Sequence, residues 1–249
     1  MRYFIHLAYD GSAYHGWQVQ PNAVSVQGKL NGALSTLLRQ DIVTTGAGRT
    51  DAGVHAACMV AHFDAEGAVD TRRLADKLCR LLPADIGVYG IRAVRPEAHA
   101  RFDATSRTYH YHVYGRKNPF MRHYAVRLFF TPDYAKMNAA AAELLKATDF
   151  TSFSKVDSDA RTNVCRVSRA EWVQVEEDHW RFEITADRFL RNMVRAVVGT
   201  LLEVGRGRMS LEDFRQVIAR KDRCAAGESV AGNALSLVDI TYPQDIYLD

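Results

Sequence analysis

The chain alternates between two hydrophobic periodicities in a fixed order. Apolar residues at every second position from Tyr3 to Tyr9 predict a strand, and apolar residues between Val26 and Leu38 then recur at helical spacing. The pattern continues with a short strand near 42–44, a strand at 59–63, a helix over 74–82 that stops at Pro83, and a strand at 87–94. The first half therefore predicts the order βαββαβ.

The second half repeats this order with a different sequence. Its pattern predicts, in turn, a strand at 107–114, a helix at 132–146, strands at 165–175 and 180–185, a helix at 189–203, a shorter helix after Ser210 and a strand at 237–242. The predicted fold class is α+β, with two ferredoxin-like βαββαβ halves sharing an extended, mainly antiparallel sheet with helices on one face and a central cleft. The expected domains are residues 1–103 and 104–249.

A loop of small residues carries one arginine and one aspartate. Residues 46–56 read Gly-Ala-Gly-Arg-Thr-Asp-Ala-Gly-Val-His-Ala, with the charges at Arg49 and Asp51. The glycine spacing fits neither the dinucleotide fingerprint nor the P-loop. Such a loop lets a large substrate approach the backbone beside a single carboxylate, whereas the alternative is an ordinary turn with a solvated ion pair.

The composition argues against cofactors and membranes. The four cysteines form no C-x-x-C pair, and none of the usual metal-ligand spacings involves the nine histidines. We therefore expect no metal and no cofactor, and we expect Cys58 and Cys79 to pack in cores. The sequence has neither an apolar run of about 20 residues nor a signal-peptide pattern at its start, which predicts a cytoplasmic protein.

A basic stretch lies between Arg92 and Arg127. It contains eight Lys and Arg residues against Glu97 and Asp103, with aromatic residues between them, among them Tyr109. Basic side chains neutralise phosphates and aromatic faces stack on bases, so the stretch can be an RNA-facing surface. A pair of strands with core aromatics and solvated arginines explains it equally well.

The helix predicted at 189–203 carries a second group of cations. Its apolar residues form one stripe, and the opposite face collects Arg188, Arg191, Asn192 and Arg195 beside the small Ala196 and Gly199. A solvated charged face is the ordinary interpretation. The small residues instead favour close approach of another group. The following Gly-Arg-Gly-Arg at 205–208 reads as a turn between helices that can also touch phosphate.

The glycine loop resembles the active-site motif of the tRNA pseudouridine synthase A family, which reads G-R-T-D-A-G-V-H around a catalytic aspartate. Further similar segments are Tyr9–Gln18, Phe189–Arg195 and Val238–Pro243. The resemblance runs from the first predicted strand to the last and so covers essentially the whole chain.

The resemblance implies isomerisation of uridine to pseudouridine at nucleotides 38, 39 and 40 of the tRNA anticodon stem-loop, without a cofactor, by a homodimer. It implies Asp51 as nucleophile or base with Arg195 as its partner. It also places Tyr109 on the target base, assisting removal of the C5 proton. The implied substrate-binding residues are Arg49, Tyr109, Leu235, Arg188 and Arg191, with the last two on phosphates.

Some choices stay open. The segment Ser229–Leu235 departs from the family pattern of A-P-A followed by G-L, which predicts an altered pocket wall. The chemical step of Asp51 can be attack at C1′, addition at C6 or proton removal at C2′. One alternative function is a non-catalytic tRNA-binding or tRNA-folding chaperone with the same fold. A weaker alternative is a small-molecule enzyme that uses Asp51 as a general base.

Overall fold

The computed structural model describes residues 1–156 and 161–248 and shows a mixed α+β protein. Its contacts divide the chain into two units. The first unit comprises residues 1–105 together with the chain from Ser236 onward, and the second comprises residues 106–235.

The described elements follow the predicted order along the chain, with one additional short strand at Val126–Arg127 that was not predicted. They are β1 (Arg2–Tyr9), α1 (Val26–Leu38), β2 (Thr45–Gly46), β3 (His55–Asp64), α2 (Thr71–Leu81), β4 (Ile86–Val94), β5 (Ser106–Tyr114), β6 (Val126–Arg127), α3 (Tyr134–Glu143), β7 (Val167–Glu176), β8 (His179–Ala186), α4 (Met193–Gly205), α5 (Leu211–Arg220) and β9 (Leu235–Thr241).

The sheet of the first unit is built around β1, which pairs antiparallel with both β3 and β4. The short β2 pairs antiparallel with β3, and β9 pairs parallel with the start of β3, where His55 lies opposite Ser236. Ser25 caps helix α1, and its Oγ accepts the Gly28 N–H at 3.2 Å. The buried core includes Phe4, Leu30 and Phe63.

The sheet of the second unit places β8 between β5 and β7, antiparallel to both, and adds β6 parallel to β5. Helix α3 packs against β7, α4 and α5. Helix α5 begins with a capping box in which Ser210 Oγ accepts the Asp213 N–H at 3.1 Å and Asp213 Oδ2 accepts the Ser210 N–H at 2.9 Å. Tyr111, Phe182 and Phe214 are fully buried in the core.

Local details differ from the sequence predictions. The strand predicted at 42–44 lies at Thr45–Gly46, because the Thr44 N–H and hydroxyl both bond Asn31 Oδ1 instead of a strand. The chain from Ser236 belongs with the first unit, since β9 pairs with β3. The ferredoxin-like halves, the shared sheet, its cleft and the boundary after residue 103 stay predictions.

The cysteine prediction was wrong for Cys79, which is exposed, and Cys58 is half-buried. Cys165 is the buried thiol, and its burial raises the pKa to about 12. Among the described residues, no helix combines the length and the hydropathy that crossing a bilayer needs.

Candidate active site

The glycine loop connects β2 to β3 in the first unit. The Ala47 N–H donates to the Val60 carbonyl at 2.8 Å, and the Val54 N–H donates to the Asp51 carbonyl at 3.2 Å. Gly53 adopts a φ of +74°, which glycine reaches without steric cost. Asp51 thus lies in a turn closed by a hydrogen bond to its own carbonyl. Asp51 is half-buried, whereas Arg49 is exposed.

The chain just after β1 holds this loop from the other side. The Trp17 N–H donates to the Thr50 carbonyl at 3.3 Å, and the Gly53 N–H donates to the Tyr14 carbonyl at 3.2 Å. The Tyr9 hydroxyl lies 2.9 Å from Thr50 Oγ1, a buried contact. Hydrogen bonds therefore fix the residues on both sides of Asp51.

Glycines make this close approach possible. A Cβ at Gly11 would overlap the carbonyl oxygen of Val54, and one at Gly16 would overlap the carbonyl oxygen of Thr50. Gly16 also has a φ of +91°, which L side chains rarely adopt. The glycines outside the loop are therefore part of its support, and the Asp51 backbone is rigidly placed before any substrate arrives.

Two aromatic residues near Asp51 have structural positions. His55 is buried, and its Nδ1 accepts the Gly11 N–H at 3.0 Å and lies 3.1 Å from Asp10 Oδ1. Trp17 is also buried, with its ring 6.1 Å from that of Tyr9. These contacts suit a structural role for His55 and a loop-anchoring role for Trp17.

Tyr109 lies in the second unit, on β5. It is 8% exposed, and its ring meets Phe189 edge to face with centroids 5.1 Å apart. The sequence left a core aromatic and a base-stacking aromatic as alternatives. The Tyr109 side chain is a buried aromatic whose immediate ring neighbour, Phe189, is half-buried.

The second group of cations is arranged differently from the prediction. Asn192 has a φ of +66°, so α4 begins only at Met193 and not at Phe189. Arg188 and Arg191 consequently lie in the turn that precedes the helix, where Arg191 is exposed and Arg188 half-buried. They do not share a helix face with Arg195, and the prediction of that common face was wrong.

Helix α4 is also less amphipathic than expected. From Met193 to Gly205 every residue is buried except Arg195 and Glu203, which are half-buried. A Cβ at Gly199 would overlap the carbonyl oxygen of Glu228. The small residue at 199 therefore accommodates the protein's own chain at 228, and no substrate contact is needed to explain it.

The chain after Glu228 holds Arg195. Arg195 Nε donates to the Val230 carbonyl at 2.7 Å, and the Val230 N–H donates to the Arg195 carbonyl at 3.2 Å. Burial raises the pKa of Tyr111 on β5, and the Arg195 charge acts on that phenol in the opposite direction. The Val230 carbonyl thus orients the Arg195 guanidinium, and the positive charge of Arg195 acts on Tyr111 of β5.

Sequence reasoning missed the residues that brace this segment. Ser229 Oγ accepts hydrogen bonds from Asn192 Nδ2 at 2.6 Å and from Arg223 Nη2 at 2.9 Å. Arg223 Nη1 also donates to the Gly227 carbonyl at 3.1 Å. The available signal was Ser229, which opens the segment that departs from the family pattern. At its other end Leu235 is 4% exposed and begins β9.

Comparison with known proteins decides the family. Over 99% of its length the chain is 60% identical to the tRNA pseudouridine synthase A of Bacteroides thetaiotaomicron, of which it covers 92%. It is 50% identical to that of Porphyromonas gingivalis, with 99% of both chains covered, and 37% identical to that of Bacillus subtilis, with 97% and 99% covered. The chain belongs to the tRNA pseudouridine synthase A family.

The family model described as tRNA pseudouridine synthase matches residues 140–243. This range contains Arg195 and Leu235 but not Asp51 or Tyr109. The family model therefore does not cover the loop of Asp51. The similarity of that loop to the family is shown by the relatives that match nearly the whole chain.

Proposed function

We propose that this protein is a tRNA pseudouridine synthase that converts uridine to pseudouridine at nucleotides 38, 39 and 40 of the anticodon stem-loop. The observation that carries the proposal is the 60% identity to a tRNA pseudouridine synthase A over 99% of the chain. The reaction is an isomerisation: the N1–C1′ bond breaks, a C5–C1′ bond forms, the C5 proton leaves and N1 gains a proton.

Asp51 is the proposed nucleophile or base. A carboxylate in either role must be held at a fixed position relative to the ribose or the base. The hydrogen bonds to Thr50 and Gly53 hold the Asp51 backbone from both sides, and the glycines at 11 and 16 make that packing possible. This support is consistent with the fixed position that either role requires.

Tyr109 and Arg195 are the proposed partners in the reaction. Tyr109 stacks on the target base and assists removal of the C5 proton, while Arg195 keeps the Asp51 carboxylate charged and oriented. The two hydrogen bonds that join Arg195 to Val230 support an orienting role. Leu235 packs against the target base in this proposal.

The remaining proposed contacts are with the RNA backbone and with the space that the target base leaves in the RNA stack. A base that reacts in such a pocket must leave its stack, at a cost of a few kcal/mol. Arg49, which is exposed on the loop of Asp51, fills that space or grips the adjacent phosphate. Arg188 and Arg191 meet phosphates from the turn before α4.

The assembly and location complete the proposal. We infer that the protein acts as a homodimer in the cytoplasm, on the anticodon stem-loop, and that it uses neither metal nor cofactor. An isomerisation transfers no net electrons and consumes no water, so Asp51, Tyr109 and Arg195 can supply the acid, base and nucleophile that it needs.

A tritium-release assay tests the function. We expect the protein to release tritium from tRNA transcripts labelled at uridine C5 when uridine stands at 38, 39 or 40. The matched control is a transcript with cytidine at those three nucleotides, from which no release is expected. Stable binding of both transcripts without release from either would instead support the chaperone alternative.

The hydroxyl of Tyr109 can be tested separately from its ring. Tyr109→Phe keeps an aromatic face against Phe189 and removes only the hydroxyl. We expect kcat to fall by about 10²-fold or more with KM little changed, because general-base contributions are of that size and stacking is retained. Single-turnover rates measure the change, and a kcat within threefold of the unaltered protein would limit Tyr109 to stacking.

A further inference from the structure

The end of α4 and the segment after β6 line an open surface pocket of about 450 Å³ in the second unit. We call it the Phe129 pocket, and its lining residues are Phe129, Phe130, Thr131, Arg206 and Arg208. Its volume lies within the range of small-ligand sites. None of these residues belongs to the proposed catalytic set.

The aromatic wall is held in place at both ends. The Leu128 N–H donates to the Tyr114 carbonyl at 2.8 Å, and the Asp133 N–H donates to the Gly205 carbonyl at 3.0 Å. Between these anchors Phe129 is 85% exposed, and the guanidinium of Arg127 lies 4.9 Å from the centre of its ring. A large apolar ring is thus kept in water on a fixed segment, which costs free energy unless something covers it.

The basic wall comes from the turn after α4. The N–H groups of Arg206 and Arg208 donate to carbonyls of the last helical turn at 3.0 Å each, and Gly207 has a φ of +74°. The Arg206 guanidinium lies 4.2 Å from the centre of the Phe130 ring. Cations favour a helix C-terminus, which accounts for the arginines but not for the exposed Phe129.

The charges of the pocket favour an anionic partner. Arg206 and Arg208 line it and Arg127 lies against the Phe129 ring, while the Glu203 carboxylate lies 3.2 Å from Arg206 and 3.6 Å from Arg208. The side chain of Arg208 stays 66% exposed. An aromatic face beside exposed guanidinium groups is the combination that binds unpaired nucleotides, by stacking on the base and pairing with the phosphate.

We propose that the Phe129 pocket binds an unpaired nucleotide of the tRNA, with its base on the Phe129 ring and its phosphate on Arg208. This inference rests on the proposed function in taking tRNA as the substrate. It assigns a second RNA contact, separate from the residues that perform the isomerisation.

The test compares Phe129→Leu and Arg208→Gln with two matched controls. Tyr89→Leu removes another exposed aromatic ring, and Arg215→Gln removes another exposed arginine charge, one that pairs with Glu143 at 3.1 Å. Affinity for a full-length tRNA transcript is measured at several salt concentrations, together with kcat and KM. Thermal melting checks that each variant is folded.

We expect each pocket variant to bind tRNA about fivefold to tenfold more weakly, with KM raised and kcat unchanged at saturating tRNA. Arg208→Gln should also lower the salt slope by about 0.7, the value for one phosphate of a single strand. Both controls should stay within twofold.

Affinities within twofold and an unchanged salt slope for both pocket variants would overturn the proposal. If, in addition, Phe129→Leu alters the oligomeric state, the pocket is an interface between copies of this chain. Absence of tritium release by the unaltered protein, with tRNA binding still weakened by the variants, would contradict the proposed function and leave the pocket supported.

Discussion

Replacing Asp51 with asparagine is expected to reduce tritium release from C5-labelled tRNA by at least about 10⁴-fold in kcat, the scale seen when a nucleophile is removed. Asparagine keeps the size of the side chain but is neither a nucleophile nor a base at neutral pH. The backbone bonds through the Asp51 carbonyl and its neighbour Thr50 need no carboxylate. The variant should therefore fold and should bind tRNA within about threefold of the unaltered protein.

Asp41→Asn is the matched control for this experiment, because Asp41 is an exposed aspartate of the same unit. It should keep full activity. Single-turnover release and a binding titration with the same transcript separate chemistry from affinity. If Asp51→Asn retained a kcat within tenfold of the unaltered protein, the proposed nucleophile would be wrong although the family would stand.

The largest expected loss of stability comes from Gly199→Ala on α4. The new Cβ would overlap the carbonyl oxygen of Glu228, and backbone on both sides leaves no side chain that can rotate away. We expect the free energy of unfolding to fall by about 3 kcal/mol, as in severe overpacking, and Tm to fall by about 6–12 °C. Activity should also fall, because displacing residues 228–230 breaks the bonds between Val230 and Arg195.

Gly32→Ala provides the control, because it adds the same methyl group at a helical position where there is space for it. Gly32 lies on α1, and a Cβ there would meet no atom within 4 Å. The free energy of unfolding of this variant should rise by about 0.5–1 kcal/mol, since alanine loses less conformational freedom than glycine when a helix forms. Calorimetry measures both variants. A Tm for Gly199→Ala within 2 °C of the unaltered protein would show that the segment at 228 moves aside freely.

The sequence predicts elements well where periodicity is strong. β1, α1 and β5 lie within a few residues of their predicted positions because alternation and helical spacing report burial directly. The predicted start of α4 was wrong because the apolar stripe extends back to Phe189 and Leu190, whereas the left-handed backbone of Asn192 keeps the helix from beginning before Met193. Periodicity describes which side chains are buried and does not report a single φ.

The site is predicted less completely. A resemblance can identify the loop of Asp51, but the sequence alone does not show that Gly11 and Gly16 make room for it, because that contact depends on tertiary packing. Gly199 illustrates the same limit: its small size indicates close approach, whereas the approaching group, the chain at Glu228, is distant in sequence. The roles of Asp51, Tyr109 and Arg195 stay predictions.

The pairing of β9 with β3 has a consequence for the order of synthesis. His55, the first residue of β3, lies opposite Ser236, so the strand that follows Asp51 has its parallel neighbour 181 positions later in the chain. Domains of a growing chain ordinarily fold in order from the N-terminus. Here the sheet beside Asp51 stays unfinished on the ribosome until the whole second unit has been made, and a chain cut short before Ser236 would leave the edge of β3 unpaired at His55 and Ala56.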